Sequence, residues 1–377
     1  MLDQSSGIPF YLQIRDILRT EILEGLFQEG GPFYSELELV ERFGVARGTV
    51  RQALIALEQE GHIHREKGRG TFVSKRSFAV DRSNTTNISF IVPHCRDSFV
   101  PTMLLGVEAA ARERGAQVLF RHIESNPKLQ SRALEETRAF GSDGVLLFPV
   151  DSTYRDPALL RLLAEDFPVV LVDHYIPGLD VDYVISDGYG GMLMAVHHLL
   201  GLGHRRIGFV TWDLQVSGEV GRFLGYQQGL REWGIESSAD LICQLEAYPV
   251  EELSPLIDYL SQPNRPTAIV ALNDYLAIKV MKVCRNLNIR IPQDLALIGF
   301  DNTDITAELE IPLTTVAQSI HEIGAQAVRF LLNKITGASQ GPQRLILPTH
   351  LVIRESSGKA LATPEKSQVN HPGNPGA

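Results

Sequence analysis

The sequence predicts a small α+β helix-turn-helix unit with a β-hairpin wing, followed by a larger α/β unit of two lobes built on parallel sheets. Three observations predict it. The first 75 residues read as three helices and a hairpin, short apolar strands alternate with amphipathic helices from Ile88 onward, and 377 residues exceed what one hydrophobic core usually organises.

In the first unit, Pro9 to Gly25 carries Ile14, Ile17, Leu18 and Ile22 at three- and four-residue spacing, with proline at its start and glycine at its stop. Ser35 opens a second helix over Glu36–Phe43, and Glu38 completes a Ser-x-x-Glu capping box. Gly44 stands where a helix closes in the left-handed region, and a third helix runs from Ala46 to about Glu60. After Gly61 the helical period ends. His62–Glu66 and Thr71–Ser74 predict two strands around the tight turn Lys67-Gly68-Arg69-Gly70. The polar stretch beyond Lys75 lacks periodicity, so the expected division is a head over 1–75, a linker over 76–87, a two-lobed domain over 88–356 and a disordered tail over 357–377.

In the second unit the expected strand and helix pairs are Ile88–Val92 with Met103–Arg114, Gln117–Arg121 with Leu129–Phe140, and Val145–Phe148 with Pro157–Asp166. Val169–Val172 follows. Then come Tyr183–Ile185 with Met192–Leu202, Ile207–Val210 with Phe223–Trp233, Ala268–Leu272 with Tyr275–Leu287, and the strand Leu295–Phe300. Alternation of this kind makes parallel sheets covered by helices on both faces, and roughly nine strands over this length suit two sheets better than one.

Composition narrows the function. A hydrophobic share of 44% and a charged share of 21% suit a globular chain. No basic region precedes an apolar run at Met1–Ser6, and no stretch approaches the ~18 apolar residues of a span, so a cytoplasmic protein without membrane contact is expected. Cys95, Cys243 and Cys284 are widely spaced and form no Cys-x-x-Cys pair. His197, His198 and His204 have no carboxylate or cysteine partner at ligand spacing, so neither metal nor cofactor is expected. A net charge of −10 disfavours nucleic acid as a partner of the whole surface, yet Ala46 to Arg76 holds seven Lys or Arg against three Glu. A basic patch sits on an acidic protein.

That patch has a pattern. Val50, Ala53, Leu54 and Leu57 form an apolar stripe on the third helix, while Arg47, Thr49 and Arg51 lie outside it, with Arg47 and Arg51 on one face. Such a helix can present donors to base edges while its stripe anchors it, and the Gly68-Arg69-Gly70 tip can follow phosphates or enter a minor groove. Either element alone is more often a solvated face or a plain turn. Their joint order weighs otherwise. Pro9-Phe10-Tyr11, Gly44-Val45-Ala46-Arg47-Gly48-Thr49-Val50-Arg51-Gln52-Ala53-Leu54, Leu57-Glu58, Gly61-His62-Ile63 and Gly68-Arg69-Gly70-Thr71-Phe72-Val73 together resemble the winged-helix domain of the GntR family of bacterial regulators. The resemblance covers about Ile8 to Ser74. It implies that Ser35, Arg47, Thr49, Arg51, Gly68, Arg69, Gly70 and Thr71 contact double-stranded operator DNA. The chain departs from the family at Tyr34-Ser35-Glu36-Leu37, where Leu37 replaces a usual arginine.

The second unit carries Ile88–Pro93, Asp143–Phe148, Pro168–Asp173, Leu200–Val210, Asn273-Asp274, Asp294–Asp301 and Leu313–Gln318, a succession that resembles the effector domain of the LacI/GalR repressors. That domain is similar to periplasmic sugar-binding proteins. A GntR-type head on such a sensor is the architecture of the arabinose-repressor group, which the chain resembles throughout. Ligands of open α/β sheets collect at the carboxyl ends of strands, where His94, Asp173, Asn273, Asp274 and Asp301 stand. Their amides and carboxylates suit sugar hydroxyls, Arg222 can donate a rigid fork, and Trp212 or Tyr248 could cover an apolar sugar face. The likeness also places Gln318 in the pocket. Local roles compete: Asp274 suits a helix N-cap, and Asp173, Asp301 and His94 suit turns.

Phosphate-binding, dinucleotide and nucleophile-elbow motifs are missing, which disfavours an enzyme. An exported sugar receptor would have no use for the first 75 residues. The expected protein is a homodimeric repressor released from its operator by a small sugar, a pentose such as arabinose or another carbohydrate. A non-catalytic sugar-binding receptor, or an activator using the same sensor, is the alternative.

Overall fold

The computed structural model describes residues 9–23, 26–28, 30–59, 62–66, 69–74, 85–95, 97–246, 249–339 and 341–358. The chain divides into two units, residues 1–84 and 85–377.

The first unit contains α1 (Phe10–Leu23), α2 (Glu36–Phe43), α3 (Arg47–Gln59), β1 (Ile63–Glu66) and β2 (Gly70–Val73). Its core is the expected α3 stripe, Val50, Ala53, Leu54 and Leu57, packed against Ile14, Leu18, Leu39, Ile63 and Val73. Ser35 caps α2 through the reciprocal bonds of the capping box, and Gly44 at φ 64° closes it with an amide bonded to Val40 O at 2.9 Å. β1 and β2 pair antiparallel from Ile63–Val73 to Glu66–Gly70. The stop assigned to Gly25 and the turn residues Lys67 and Gly68 lie outside the described residues.

The second unit has two lobes. The first begins with β3 (Asn87–Val92), α4 (Phe99–Glu113), β4 (Gln117–His122), α5 (Pro127–Glu136), β5 (Gly144–Leu147), α6 (Pro157–Ala164), β6 (Val169–Val172) and β7 (Asp182–Ser186). The second lobe follows with α7 (Gly188–Gly201), β8 (Ile207–Thr211), α8 (Ser217–Glu232), β9 (Ile242–Gln244) and α9 (Ser254–Ser261). It continues through β10 (Ala268–Ala271), α10 (Asp274–Asn286), β11 (Ala296–Asp301), α11 (Ile305–Glu308) and β12 (Thr314–Ala317). The chain then returns to the first lobe for α12 (Ile320–Ile335) and β13 (Arg344–Leu347), and crosses back for β14 (His350–Val352). Two six-stranded sheets result, in the orders β13-β7-β6-β5-β3-β4 and β14-β12-β11-β10-β8-β9. All described pairings in them are parallel except β14 with β12, so the expectation of purely parallel sheets is corrected at one edge. An edge strand can arrive from either direction because only one side must pair.

Two corrections have physical causes. The sequence reading assigned no helix after Gln318, yet α12 buries Ile320, Ile323, Ala327, Val328 and Leu331 against α4 and the sheet. Gly106 and Gly324 allow that close approach: a Cβ on Gly106 would meet His321 O at 1.9 Å, and one on Gly324 would meet Met103 O at 2.3 Å. The tail assigned from residue 357 begins too early. Ser357 is buried, 1% exposed, with its hydroxyl 2.9 Å from that of Thr314.

Candidate DNA-binding surface and effector cleft

On the head, α2 and α3 bring one acid under two arginines. Glu36, at the start of α2 and 19% exposed, accepts from Arg47 Nε at 3.0 Å and from Arg51 Nε and Nη2 at 3.2 and 3.3 Å, and Arg65 Nη1 comes to 4.0 Å. The hydrogen bonds from Arg51 and Arg47 hold the Glu36 carboxyl below the usual carboxylate range. Arg47 and Arg51 keep side-chain exposures of 74% and 55%, so the carboxylate fixes their stems while their outer N–H groups face solvent. Glu36 and Arg65 are members of this cluster that sequence reasoning missed. The available signal was an acid in the first turn of a helix packed beside a basic one.

Ser35 is committed to its cap, accepting from Glu38 N at 3.3 Å and donating to Glu38 Oε2 at 2.8 Å. Thr49 and Thr71 are half-buried beside these arginines' helix and on the wing. Arg69 pairs with Glu66 at 2.5 Å, lies 5.8 Å from the Phe72 ring centroid and stays exposed. Gly70, at φ 120°, holds a backbone conformation that disfavours any side chain. Gly68 lies outside the described residues. Leu37 is 68% exposed, an apolar side chain where an arginine is usual in the resembled family.

Between the two lobes of the second unit lies a cavity of about 260 Å³ at the carboxyl ends of the strands. The first lobe contributes His94 after β3, Phe148 after β5, and Asp173 and His174 after β6. The second contributes Trp212 after β8, Glu219 and Arg222 from α8, Asn273 after β10 and Asp301 at the end of β11. Asp173 at φ 64° and Asp301 at φ 116° occupy left-handed backbone that costs a non-glycine residue roughly 1–3 kcal/mol, strain of the kind that gathers at functional sites.

Arg222 is the hub. Its Nη1 donates to Leu272 O at 2.9 Å, its Nη2 lies 3.5 Å from Asp301 Oδ1, and its guanidinium sits 4.0 Å from the Phe300 ring centroid. Burial lifts the Asp301 carboxyl well above the usual range; Arg222 opposes this, while Asp274 and Asp173 add to it. His174 Nε2 lies 3.2 Å from Asp173 Oδ2, and its ring meets Phe148 edge-on at 5.1 Å. Desolvation lowers the His174 pKa, and the neighbouring Asp173 opposes it. Glu219 Oε1 accepts from Trp212 Nε1 at 2.6 Å, and burial raises that carboxyl to about 7.

Of the sequence-predicted cleft residues, the cavity is lined by His94, Asp173, Arg222, Asn273 and Asp301. Gln318 stands one contact behind, donating to Asp301 Oδ1 at 2.6 Å. Asp274 does not line the cavity. It is 1% exposed, and its oxygens accept from Thr315 Oγ1 at 2.6 Å and from Thr303 N and Oγ1 at 2.8 and 3.1 Å, which ties α10 to the ends of β11 and β12. The capping role assigned to Asp274 falls to Asn273, whose Oδ1 accepts from Leu276 N at 3.0 Å. Tyr248 lies outside the described residues. Sequence reasoning missed His174 and Glu219; a histidine directly after a strand-end aspartate was a usable signal for the first.

Residues 10–73 match the family model of bacterial regulatory proteins of the gntR family, and residues 196–357 match that of the periplasmic binding protein-like domain. Over 368 residues the chain is 30% identical to the arabinose metabolism transcriptional repressor of Halalkalibacterium halodurans, covering 93% of this chain and 97% of that one. The chain belongs to the family of these repressors. It is a DNA-binding transcription regulator and not an enzyme. Over 280 residues, 74% of this chain and 83% of the relative, it is 31% identical to the regulator DegA of Bacillus subtilis. A structure of the transcriptional regulator CelR in complex with cellobiose superposes with a TM-score of 0.66 at 26% identity, over 83% of this chain and 91% of that one.

In this repressor the lobes are also joined beside the cavity. Ser152 N donates to Gln215 O at 3.1 Å, Ser217 N donates to Ser152 Oγ at 3.0 Å, and Tyr175 N donates to Ser217 Oγ at 2.9 Å. Ser152 and Tyr175 belong to the first lobe, Gln215 and Ser217 to the second. Replacing Ser217 with alanine removes the acceptor of the Tyr175 amide. Hydrogen exchange at Tyr175 is expected to speed up about fivefold, the equivalent of about 1 kcal/mol, with Val210 in the core unchanged. Unchanged exchange at Tyr175 would show that this seam does not hold the lobes together.

Proposed function

We propose that this protein is a cytoplasmic repressor that binds operator DNA as a homodimer and releases it when a small sugar, a pentose such as arabinose or a related carbohydrate, closes its lobes. The observation that carries the reading is the interlobe cavity, where a buried guanidinium, carboxylates, imidazoles and aromatic rings converge at strand ends in a chain that also bears a winged head. Donors and acceptors at that density suit adjacent hydroxyls, and rings suit the apolar face of a sugar. The names of its relatives, which refer to arabinose metabolism and to a cellobiose complex, agree with a carbohydrate.

In this reading Arg47, Thr49 and Arg51 enter the major groove. Ser35 and the wing residues Gly68, Arg69, Gly70 and Thr71 hold the backbone. His94, Asp173, Arg222, Asn273 and Asp301 receive the sugar, Gln318 orients Asp301, Asp274 braces the floor, and Tyr248 is proposed as a further sugar contact. A ligand that favours the closed lobes shifts the population of head spacings, and paired half-sites tolerate only one spacing. Mobility-shift titration of duplexes from the protein's own promoter neighbourhood tests this. L-Arabinose or another sugar is expected to dissociate the complex and to raise the melting temperature with the logarithm of its concentration. Sugars that all tightened the complex, or left it and the melting temperature untouched, would overturn the reading.

A further inference from the structure

Helix α8 starts without the usual cap. Val216 at its N-cap has no side-chain oxygen, and Glu219, at the third helical position, reaches back to accept from the backbone N–H groups of Val216 and Gln215. The same carboxyl accepts from Trp212 Nε1 at 2.6 Å. One side chain thus gathers three donors of the 212–216 loop. The first lobe grips that loop from the other side. Gln215 O accepts from Ser152 N at 3.1 Å, Ser152 Oγ accepts from Ser217 N at 3.0 Å, and Ser217 Oγ accepts from Tyr175 N at 2.9 Å. Gln215 is therefore bonded in both directions, its N–H to Glu219 and its carbonyl to the opposite lobe. A Cβ on Gly218 would stand 3.0 Å from His174 Nδ1, so the turn has little room to slide while the seam holds.

We propose that Glu219 is the positioning residue of this seam: its side chain shapes the 212–216 loop from within the second lobe and thereby sets how readily the two lobes part. The seam's own bonds run between Ser152, Tyr175, Gln215 and Ser217, so the effect of Glu219 on the first lobe passes through the loop. The grip rests on acceptor oxygens and not on net charge. Burial pushes the carboxyl up to about 7, opposed by the indole, by Arg222 and by the two amides, so acid and anion coexist near neutral pH. Both forms keep an acceptor oxygen for the loop, and so does glutamine, which has the shape of the acid. Alanine keeps none. Such a latch acts whatever ligand enters the cleft, because it biases the lobe arrangement that the ligand must select.

Hydrogen exchange of the full chain without sugar tests this in wild type, Glu219→Ala, Glu219→Gln and Trp212→Phe. In Glu219→Ala the amides of Ser152 and Tyr175 are expected to exchange about fivefold faster, with Val210 in the core unchanged. Glu219→Gln is expected to return both to within about twofold of wild type. Trp212→Phe withdraws the indole N–H and leaves the carboxyl, so the same two amides are expected to move in the same direction by a smaller factor. Unaltered exchange at Ser152 and Tyr175 in Glu219→Ala, or equal acceleration there and at Val210, would overturn the latch. Should the alanine variant fail to fold, unaltered exchange in Trp212→Phe would overturn it instead. Glutamine as fast as alanine would overturn the acceptor mechanism and assign the grip to charge. Because no sugar is present, each of these outcomes stands apart from the carbohydrate reading.

Discussion

Replacing Arg51 with alanine is expected to weaken operator binding about 10- to 100-fold, the cost of about 1–3 kcal/mol that accompanies loss of a good arginine contact to DNA. Arg51 donates two N–H groups to Glu36 and remains 55% exposed, so its direction is set before DNA arrives. Lysine is not expected to rescue it, because a single ammonium cannot hold Glu36 and reach a base edge together. Arg69→Ala offers the contrast. That side chain sits at the wing, where a phosphate contact would lower affinity for all sequences alike and reduce the salt slope by about one. Fluorescence anisotropy with operator and scrambled duplexes at two salt concentrations separates the cases. An Arg51→Ala protein with undiminished operator affinity would remove α3 as the recognition helix.

Replacing Arg222 with methionine is expected to abolish the sugar response, with at least about 100-fold weaker effector binding and an intact operator complex. The same change is expected to destabilise the sensor. Asp301 is 8% exposed, and Arg222 is the cation beside it. Removing one partner of a buried pair typically costs about 3–5 kcal/mol when the survivor stays charged. Asp301 can escape by taking up a proton, since burial and the neighbouring Asp274 and Asp173 already push its carboxyl well above the usual range. Losing Arg222 pushes it further. A carboxyl raised in the folded state is fully tolerated below its unfolded pKa and subtracts stability as pH climbs through its folded value. The gap in melting temperature between Arg222→Met and wild type is therefore expected to be wider at pH 8 than at pH 5. A gap independent of pH would place the cost in packing against Phe300 and not in the orphaned carboxyl.

The head was legible nearly to the residue because its determinants are local. A capping serine, a left-handed glycine and an apolar stripe at helical spacing each act within a few positions of the chain. The central strands were legible for a related reason: Val169–Val172 and Ala268–Ala271 are buried on both faces and read as unbroken apolar runs. β13 and β14 are edge strands with alternating, half-exposed side chains, and their signal is weak. In the cleft, residues directly after strands could be read from topology alone. Glu219 could not, since it lies on a helix face that meets the cavity only because the loop from Trp212 to Val216 folds back over it. Asp274 looked like a ligand because its carboxylate stands beside Asn273 at a strand end, but the two threonines that occupy it are 29 and 41 residues away in sequence.

The backbone threads from one lobe to the other three times, after Ser186, after Ala317 and after Leu347. Neither lobe is thus a contiguous stretch that recombination could cut out and replace. Each half of the clamp is completed by chain that has already visited the other. New ligand preferences must arise by point changes in the pocket walls or by exchanging the sensor whole at the boundary near residue 84, where a single cut separates it from the reader of DNA. Chimeras joined there should inherit one parent's regulon and the other parent's inducer, whereas chimeras joined within the sensor should fail to fold.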